Sequence, residues 1–336
     1  MSVHVVQCEN GVGVRLVAVV KEELLFVLNR YASVYEAAVA ADLAGESLEA
    51  LIRTNMSETT LDYNAVYQGS EDWKLIAPFD HPVDPAHFLV TGTGLSHRKS
   101  ADNRHAMHTG GAEHAPLSDS MKIYLWGEAG GNPAPGEIGT PPEWFYKGDG
   151  DTVRAHGEPL LVPNYAEDGG EEAEIAGVYI IGHSGSVRRV GFVATNEFSD
   201  HLMESRNYLY LAPSKLRECS VGPELVIGGD FNDVSGEAAV LRNGQVIWSQ
   251  DIHSGEASMV HSLANLEHHH FKYAQHRRPG DAHLYFFGTP GFSFGSGLLL
   301  EDGDVMSVHF EGFGRPLLNP ITIDRSSQKL QPVIAL

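Results

Sequence analysis

The sequence has few cysteines, few basic residues and no long apolar run. Its two cysteines, Cys8 and Cys219, are too few and too far apart for a disulfide scaffold. Both are therefore expected to be small core residues of a protein from a reducing compartment. The first residues show no basic stretch followed by an apolar one, and no apolar run approaches membrane-spanning length. These absences predict a cytoplasmic protein.

Basic residues are outnumbered by acidic ones, 23 against 44, which gives a formal net charge of −21. A surface with this excess of negative charge repels phosphate backbones and anionic lipid headgroups. The charge balance therefore predicts that neither nucleic acid nor a membrane is a partner.

The composition favours a β-rich fold with a substantial core. Apolar residues make up 42% of the 336 residues, and 36 glycines with short apolar runs between them indicate many strands and turns. Helical apolar spacing predicts helices over residues 33–53 and 257–276. The polar residues 96–120 are predicted to be a loop or mobile lid, and the Gly/Pro-rich residues 128–142 a loop.

A passage rich in Pro, Asp and His, residues 77–85, interrupts these patterns. Such a passage breaks regular structure and is the best candidate for a domain boundary. We expect a small β-rich N-terminal domain over residues 1–80 and a larger domain over residues 86–336, which opens with a strand at Phe88.

The most informative segment is predicted to be a β-hairpin, because two β-rich runs flank His183-Ser-Gly-Ser186. Residues two apart in a strand share a face, so Glu172 and Glu174 point the same way. If Ser184-Gly185 is a two-residue turn, the numbers of paired residues sum to 369, and Glu197 lies opposite Glu172. Three carboxylates then crowd one patch of the sheet.

Like charges across a β-ladder destabilise it, so this patch needs compensation. Carboxylate oxygens without thiolate or imidazole suit a hard divalent cation, Mg²⁺, Mn²⁺ or Ca²⁺, better than zinc. The alternative is a solvated acidic face without a metal.

The segment Glu172-Ala-Glu-Ile-Ala, followed by Gly191-Phe-Val-Ala-Thr-Asn-Glu-Phe-Ser199, resembles the metal-binding strands of the fumarylacetoacetate hydrolase superfamily. The resemblance implies Glu172, Glu174 and Glu197 as metal ligands, with Glu197 where Asp is usual. His201 stands where the family carries an Arg that binds the substrate carboxylate, and we retain it as a candidate substrate-binding residue.

Further stretches match the same family in order over about residues 88–322. Pro142-Glu-Trp-Phe-Tyr-Lys-Gly148 resembles a lysine-bearing strand and implies a role for Lys147, and the segment 207–223 does the same for Lys215. Gly288-Thr289 resembles a turn that binds the substrate carboxylate. Within the family, the strings around both lysines are most similar to 2-keto-3-deoxyarabinonate dehydratases.

The resemblance implies an α+β fold that is mainly β: a mixed β-sandwich roll preceded by a small N-terminal domain, assembled as a homodimer. It also implies an enzyme that uses Mg²⁺, with Mn²⁺ or Ca²⁺ as alternatives, and a small 2-oxo acid substrate.

The expected chemistry follows from the groups. A metal chelated by the carboxylate and 2-oxo oxygens of the substrate acidifies the C3 protons, and Lys215 is placed to stabilise the enolate. His97 is a candidate general acid or base on the 96–114 loop, because an unperturbed imidazole titrates near neutrality. The alternatives are that the lysines are surface cations and that the loop histidines are solvated.

The run His268-His269-His270, with His261, is expected to be a set of helix-surface histidines rather than a metal site.

We therefore expect dehydration of a 2-keto-3-deoxy sugar acid, a pentonate, to 2-oxoglutarate semialdehyde in sugar-acid catabolism. Hydrolytic C–C cleavage of a 2,4-diketo acid on the same site is the nearest alternative. A non-catalytic acid-sugar sensor that keeps the fold is the alternative from a different class.

Overall fold

The computed structural model describes residues 2–109 and 116–336, and these form two β-sheets with eight α-helices around them. The first ten strands are β1 Val3–Asn10, β2 Arg15–Lys21, β3 Leu24–Leu28, β4 Met56–Asp62, β5 Trp73–Ile76, β6 Phe88–Gly92, β7 Phe145–Gly148, β8 Val153–Arg154, β9 Leu160–Val162 and β10 Ala173–Ile181. The remaining strands are β11 Val187–Asn196, β12 Cys219–Ile227, β13 Val234–Arg242, β14 Gln245–Ser254, β15 Ala282–Phe286, β16 Val305–Phe310 and β17 Leu317–Ile323. The helices are α1 Val34–Ala44, α2 Leu48–Asn55, α3 Tyr63–Tyr67, α4 Arg98–Thr109, α5 Asp119–Gly130, α6 His201–Arg206, α7 Leu211–Lys215 and α8 Leu263–Phe271.

The larger sheet has twelve strands and carries the site. Its main path runs β4-β3-β2-β1-β12-β11-β10-β15-β6-β7, with β5 beside β1 and β8 beside β12. The N-terminal strands therefore continue the sheet of the rest of the chain, since β1 pairs antiparallel with β12. Most pairs are antiparallel, whereas β15 and β6 pair in parallel. The mainly β fold of mixed sheets predicted from the sequence is confirmed.

The second sheet, in the order β14-β13-β16-β17-β9, packs on one face of the larger sheet, and α1 and α2 pack on the other. Strand β10 contributes side chains to the cores on both faces of the larger sheet. Its residues Ala176, Val178 and Ile180 belong to the core beneath α1 and α2, and Ile175 and Tyr179 belong to the core between the sheets. Every residue of β10 is buried, which explains why its sequence, apart from Glu174, is apolar on both faces.

The predicted hairpin is present as β10 and β11, but its turn differs from the prediction. Next to the turn, Ile181 pairs with Val187, so the paired numbers sum to 368 rather than 369. A β-bulge beyond Val178 adds one residue to β11, and Ala173 then pairs with Asn196 at the predicted sum of 369. The shift in register at the turn is reversed by the bulge. The predicted pairing is therefore confirmed at the end of the hairpin that carries the glutamates.

Three predicted segments need correction. The helix predicted over 33–53 is two helices, because Gly45 ends α1 in a left-handed conformation and Ser47 caps α2. The helix predicted over 257–276 is shorter and corresponds to α8, flanked by 3₁₀ turns. The loop predicted over 96–120 is largely the helix α4 together with the start of α5, and its residues 110–115 lie outside the described part.

Polar composition misled the loop prediction because α4 is stabilised by buried polar contacts rather than by an apolar stripe. Its Ala101 is the one apolar residue of the helix that is buried, beside the buried Ser100 and Arg104. The interrupting passage at 77–84 does lack helix and strand, as expected. The division into domains 1–80 and 86–336 stays a prediction.

The prediction that His261 and His268–His270 lie on a helix surface is partly wrong. His268 is exposed as expected, but His269 and His270 are buried, and so is His261. His270 Nε2 lies 3.1 Å from Nδ1 of the buried His283 on β15. His270 therefore packs against the larger sheet, whereas His269 contacts the carbonyl of Gly139 and His261 contacts Asn265.

Both cysteines are free and buried. Within the described ranges, none of the helices combines the length and the apolar character that a membrane span requires.

Candidate active site

Three glutamates converge where the β10–β11 hairpin ends. Glu172 precedes β10, Glu174 lies within it, and Glu197 follows β11. The backbone N–H of Glu197 donates to the carbonyl of Glu172 at 2.9 Å, which is the pairing that the register requires. One carboxylate oxygen from each side chain lies within 4.8 Å of the other two, and all three side chains are buried. The alternative of a solvated acidic face is therefore wrong.

Two buried lysines neutralise part of this negative charge. Lys215 Nζ, at the end of α7, lies 2.5 Å from Glu172 Oε1 and 2.5 Å from Glu197 Oε2. Lys147 Nζ, on β7, lies 2.6 Å from Glu197 Oε1 and donates to the carbonyl of Phe198. Both lysines are about 1% exposed, so the alternative that they are surface cations is wrong.

The three glutamates differ in their electrostatic environment. Burial opposes the ionisation of Glu172, but Lys215 and His201 outweigh it and hold the pKa of this carboxyl well below its usual range. Burial and the charges of Glu197 and Glu172 raise the pKa of Glu174 well above its usual value. Among the described residues Glu174 forms no ion pair with a lysine or arginine, so it is the carboxylate that most needs a further cation.

The pKa values of the two lysines are shifted in opposite directions. Burial disfavours the charge of Lys215, but its contacts with Glu172 and Glu197 outweigh burial and raise its pKa. For Lys147, burial outweighs the ion pair with Glu197 and lowers the pKa. Lys215 is therefore the firmly charged cation of the pair.

The Gly288-Thr289 turn and His201 border the glutamates. The backbone N–H of Gly288 donates to Glu174 Oε2 at 2.7 Å, and Gly288 has a φ of +93°, a conformation that favours glycine. Thr289 Oγ1 is turned toward the carbonyl of Gly291, to which it donates at 2.8 Å. His201 Nε2 lies 3.1 Å from Glu172 Oε1, and its ring stacks on Phe292. Gly288 and His201 thus contact the glutamate cluster, whereas the side chain of Thr289 is bonded within its own turn.

A second polar network beside the site was not predicted. Arg104 of α4 is buried, with Nε 2.5 Å from Glu204 Oε1 and Nη1 3.2 Å from both carboxylate oxygens of Glu143. Tyr208 donates its hydroxyl to Glu143 Oε1 at 2.9 Å. Burial raises the pKa of Glu143, although Arg104 opposes this. The network anchors α4 beside the site and brings two further carboxyls, those of Glu143 and Glu204, within electrostatic reach of Lys215.

The signal for Glu143 was present in the sequence. Glu143, Phe145 and Lys147 alternate with two aromatic residues, and the structure buries the first three while Trp144 and Tyr146 are each 41% exposed. Because residues two apart in an extended chain share a face, the assignment of Lys147 to the site could have been extended to the carboxyl of Glu143.

The donor set fits a divalent cation. All the converging ligand atoms are carboxylate oxygens, as hard cations prefer, and three buried carboxylates face two buried ammonium groups. A buried excess of negative charge is unfavourable without a compensating cation. Glu172, Glu174 and Glu197 are therefore the residues that would hold the metal.

Comparison with known proteins agrees with this geometry. The family model described as fumarylacetoacetate (FAA) hydrolase C-terminal matches residues 125–317, more than half of the chain. No curated protein matches the sequence at a significant level. The chain belongs to the fumarylacetoacetate hydrolase family, and this membership supports an enzymatic function.

Several solved structures share the fold over nearly the whole chain. A 2-keto-3-deoxy-D-arabinonate dehydratase in its apo form has 18% identity and a TM-score of 0.68, covering 96% of this chain and 100% of its own. The same dehydratase complexed with magnesium and 2,5-dioxopentanoate has 18% identity, a TM-score of 0.69 and the same coverage. A 5-carboxymethyl-2-hydroxymuconate delta-isomerase from Mycobacterium smegmatis has 17% identity and a TM-score of 0.57, again with 96% and 100% coverage. At these identities the similarity establishes the fold.

Proposed function

We propose that the protein is a metal-dependent dehydratase that converts a 2-keto-3-deoxy sugar acid, a pentonate, to 2-oxoglutarate semialdehyde in sugar-acid catabolism. The observation that carries this proposal is the buried cluster of Glu172, Glu174 and Glu197 with Lys215 in contact with two of them. The relative with bound magnesium and 2,5-dioxopentanoate supports it, since that compound is the same semialdehyde. Mg²⁺ is the proposed cation, with Mn²⁺ or Ca²⁺ as alternatives.

When bound, the cation would polarise the 2-oxo group and so acidify the C3 protons. The protein supplies the remaining parts. Lys215 provides a fixed positive charge, already desolvated, beside the oxygen that becomes negative in the enolate. Removal of a C3 proton and loss of the C4 hydroxyl as water give an enone. A shift of a C5 proton to C3 then gives an enol, which tautomerises to the semialdehyde by moving its hydroxyl proton to C4.

Glu143 is the best candidate for the group that accepts the C3 proton. It is buried, held by Arg104 and Tyr208, and its pKa is raised by burial, as a base that works near neutral pH requires. The backbone of Gly94 packs directly against this carboxyl and leaves no room for a side chain there. A Cβ atom on Gly94 would lie 2.0 Å from Glu143 Oε2, so a larger residue there would displace the base.

Replacing Glu143 with glutamine is expected to lower kcat by about 10² to 10⁴-fold, because the amide keeps the shape but cannot accept a proton. The matched control is Tyr208→Phe, which removes one hydrogen bond to the same carboxyl and should have a much smaller effect. Steady-state kinetics on both variants provides the measurement. A Glu143→Gln enzyme within a few-fold of the unmodified protein would show that another group is the base.

Two alternatives are less well supported. Hydrolytic C–C cleavage of a 2,4-diketo acid would use the same cation site, but the two dehydratase structures have higher TM-scores than the isomerase relative. A non-catalytic sensor of acidic sugars would not need a buried lysine poised beside the cation ligands. A turnover assay with 2-keto-3-deoxypentonate and a 2,4-diketo acid, in the presence of Mg²⁺, separates these possibilities. Binding without conversion of either compound would favour the sensor.

Three further proposals concern the whole protein. The interrupting passage at 77–85 motivates a division into an N-terminal domain over 1–80 and a catalytic domain over 86–336. The family resemblance motivates a homodimer, and the two free cysteines motivate a cytoplasmic location.

A further inference from the structure

His97 lies beside the turn that holds one of the metal-ligand candidates. Its neighbour Ser96 donates its hydroxyl to the carbonyl of Phe287 at 2.6 Å, and the next residue, Gly288, donates its N–H to Glu174. A Cβ atom on Gly288 would lie 2.0 Å from Ser96 Oγ, so only glycine allows this close packing. Ser96, the neighbour of His97, thus contacts the turn whose backbone binds Glu174.

The hydrogen bonds of Ser96 determine which nitrogen of His97 carries the proton. A serine hydroxyl has one proton, and in Ser96 that proton is committed to the carbonyl of Phe287. Ser96 Oγ lies 3.0 Å from His97 Nδ1 and can only accept there. The proton of the neutral imidazole is therefore on Nδ1, and Nε2 presents a lone pair.

That lone pair is buried and unsatisfied. His97 is 3% exposed, and Nε2 has no hydrogen-bond partner within residues 2–109 and 116–336. A buried acceptor without a donor costs free energy, so such an atom calls for a specific partner. The same segment passes Glu143, since Gly94 lies against that carboxyl. Residues 94–97 therefore run from the candidate base to the Gly288 turn.

We propose that His97 Nε2 accepts a hydrogen bond from the terminal hydroxyl of the substrate, so that His97 selects hydroxylated 2-oxo acids over their deoxy analogues. This inference rests on the proposed function and specifies the substrate class of the same site. The partner is assigned as the C5 hydroxyl of a pentonate because an acceptor gives no help to a C4 hydroxyl that leaves and gains negative charge.

The electrostatic environment agrees with an acceptor role. Burial lowers the pKa of His97 to about 3, so the ring stays neutral at ordinary pH and Nε2 carries no proton to donate. The ring is likewise a weak proton acceptor, which separates its role from that of Glu143. His97 is thus a specificity-determining residue rather than the general acid or base expected from its residue type.

The test compares two ligands that cannot be dehydrated because they lack a C4 hydroxyl. Isothermal titration calorimetry on the full chain with Mg²⁺ measures the affinity for 5-hydroxy-2-oxopentanoate and for 2-oxopentanoate. The unmodified protein is expected to bind the hydroxylated compound about 10-fold more tightly, since the second ligand leaves Nε2 unpaired.

His97→Asn is the informative variant, because its amide can still donate to Ser96 but it has no atom at the position of Nε2. It should lose the preference for the hydroxylated ligand while binding 2-oxopentanoate within a few-fold of the unmodified protein. Equal affinities of the unmodified protein for both ligands, or a variant that weakens both ligands by the same factor, would overturn the assignment of His97. No binding of either 2-oxo acid would instead overturn the proposed function.

A second measurement is independent of any variant. Long-range ¹H–¹⁵N correlation spectra of ¹⁵N-histidine-labelled protein report which ring nitrogen is protonated. We expect the Nδ1–H tautomer for His97, with the Nε2 resonance shifting toward a hydrogen-bonded value when 5-hydroxy-2-oxopentanoate is added and not when 2-oxopentanoate is added. A proton on Nε2 in the free protein would contradict the inference.

Discussion

Replacing Lys215 with methionine is expected to lower kcat by about 10² to 10³-fold, because one preorganised charge beside a developing oxyanion typically contributes that much. The Nζ of Lys215 is buried and contacts both Glu172 and Glu197 at 2.5 Å, so its positive charge is fixed and desolvated before the substrate binds. Methionine fills nearly the same space with an unbranched apolar side chain and removes the ammonium group. Steady-state kinetics with saturating Mg²⁺ gives the measurement.

The control for this variant is Lys122→Met, which removes an exposed lysine paired with Asp119 on α5 and should leave kcat unchanged. Removing a buried cation also leaves its carboxylate partners less neutralised, so circular dichroism should confirm that the Lys215 variant is folded. A folded Lys215→Met protein that retains kcat within a few-fold would exclude this residue from the chemistry.

Removal of divalent cations is expected to abolish turnover, and Mg²⁺ or Mn²⁺ should restore it. The physical reason is the excess of buried carboxylates over ammonium groups in the cluster, which leaves Glu174 without a cationic partner among the described side chains. Glu174→Gln should weaken metal binding by at least about 10²-fold, because even groups that only orient a ligand contribute 10 to 100-fold. Calorimetric titration with Mg²⁺ and assays on chelator-treated protein provide the two measurements.

Glu171→Gln is the matched control for the Glu174 variant. Glu171 is an equally buried carboxyl three positions away, but it is held by the N–H and hydroxyl of Ser293 and lies outside the cluster. Its replacement should leave the affinity for Mg²⁺ within a few-fold. Full activity in rigorously metal-free protein would refute the metal requirement.

The glutamate cluster could be predicted from sequence because it depends on local pairing. Glu172 and Glu174 share a strand face by their spacing alone, and the hairpin brings Glu197 to them in a register that two compensating irregularities preserve. The mainly β fold followed in the same way from short apolar runs and from the resemblance to the family.

The elements that were missed depend on contacts between distant segments. Arg104 and Glu143 are 39 residues apart in the sequence. Burial of either charged side chain is unfavourable unless the other neutralises it, and the sequence alone does not show that the two meet. The sequence of helix α4 is typical of a loop because the helix lacks an apolar stripe. It is stabilised by the distant contact of Arg104 with Glu143. His269 and His270 look like surface residues in the sequence, and only the fold shows that they face the core.

The most direct test of the proposed function is the identity of the product formed from 2-keto-3-deoxypentonate by the Mg²⁺-loaded protein. Dehydration removes one water and keeps the carbon skeleton, whereas hydrolytic cleavage breaks a C–C bond on the same cation site. Mass spectrometry of the reaction mixture should show conversion to 2-oxoglutarate semialdehyde with all five carbons retained and no free pyruvate. Accumulation of pyruvate and a carboxylic acid from a 2,4-diketo acid, with the deoxypentonate left untouched, would contradict the proposal and establish the hydrolase alternative.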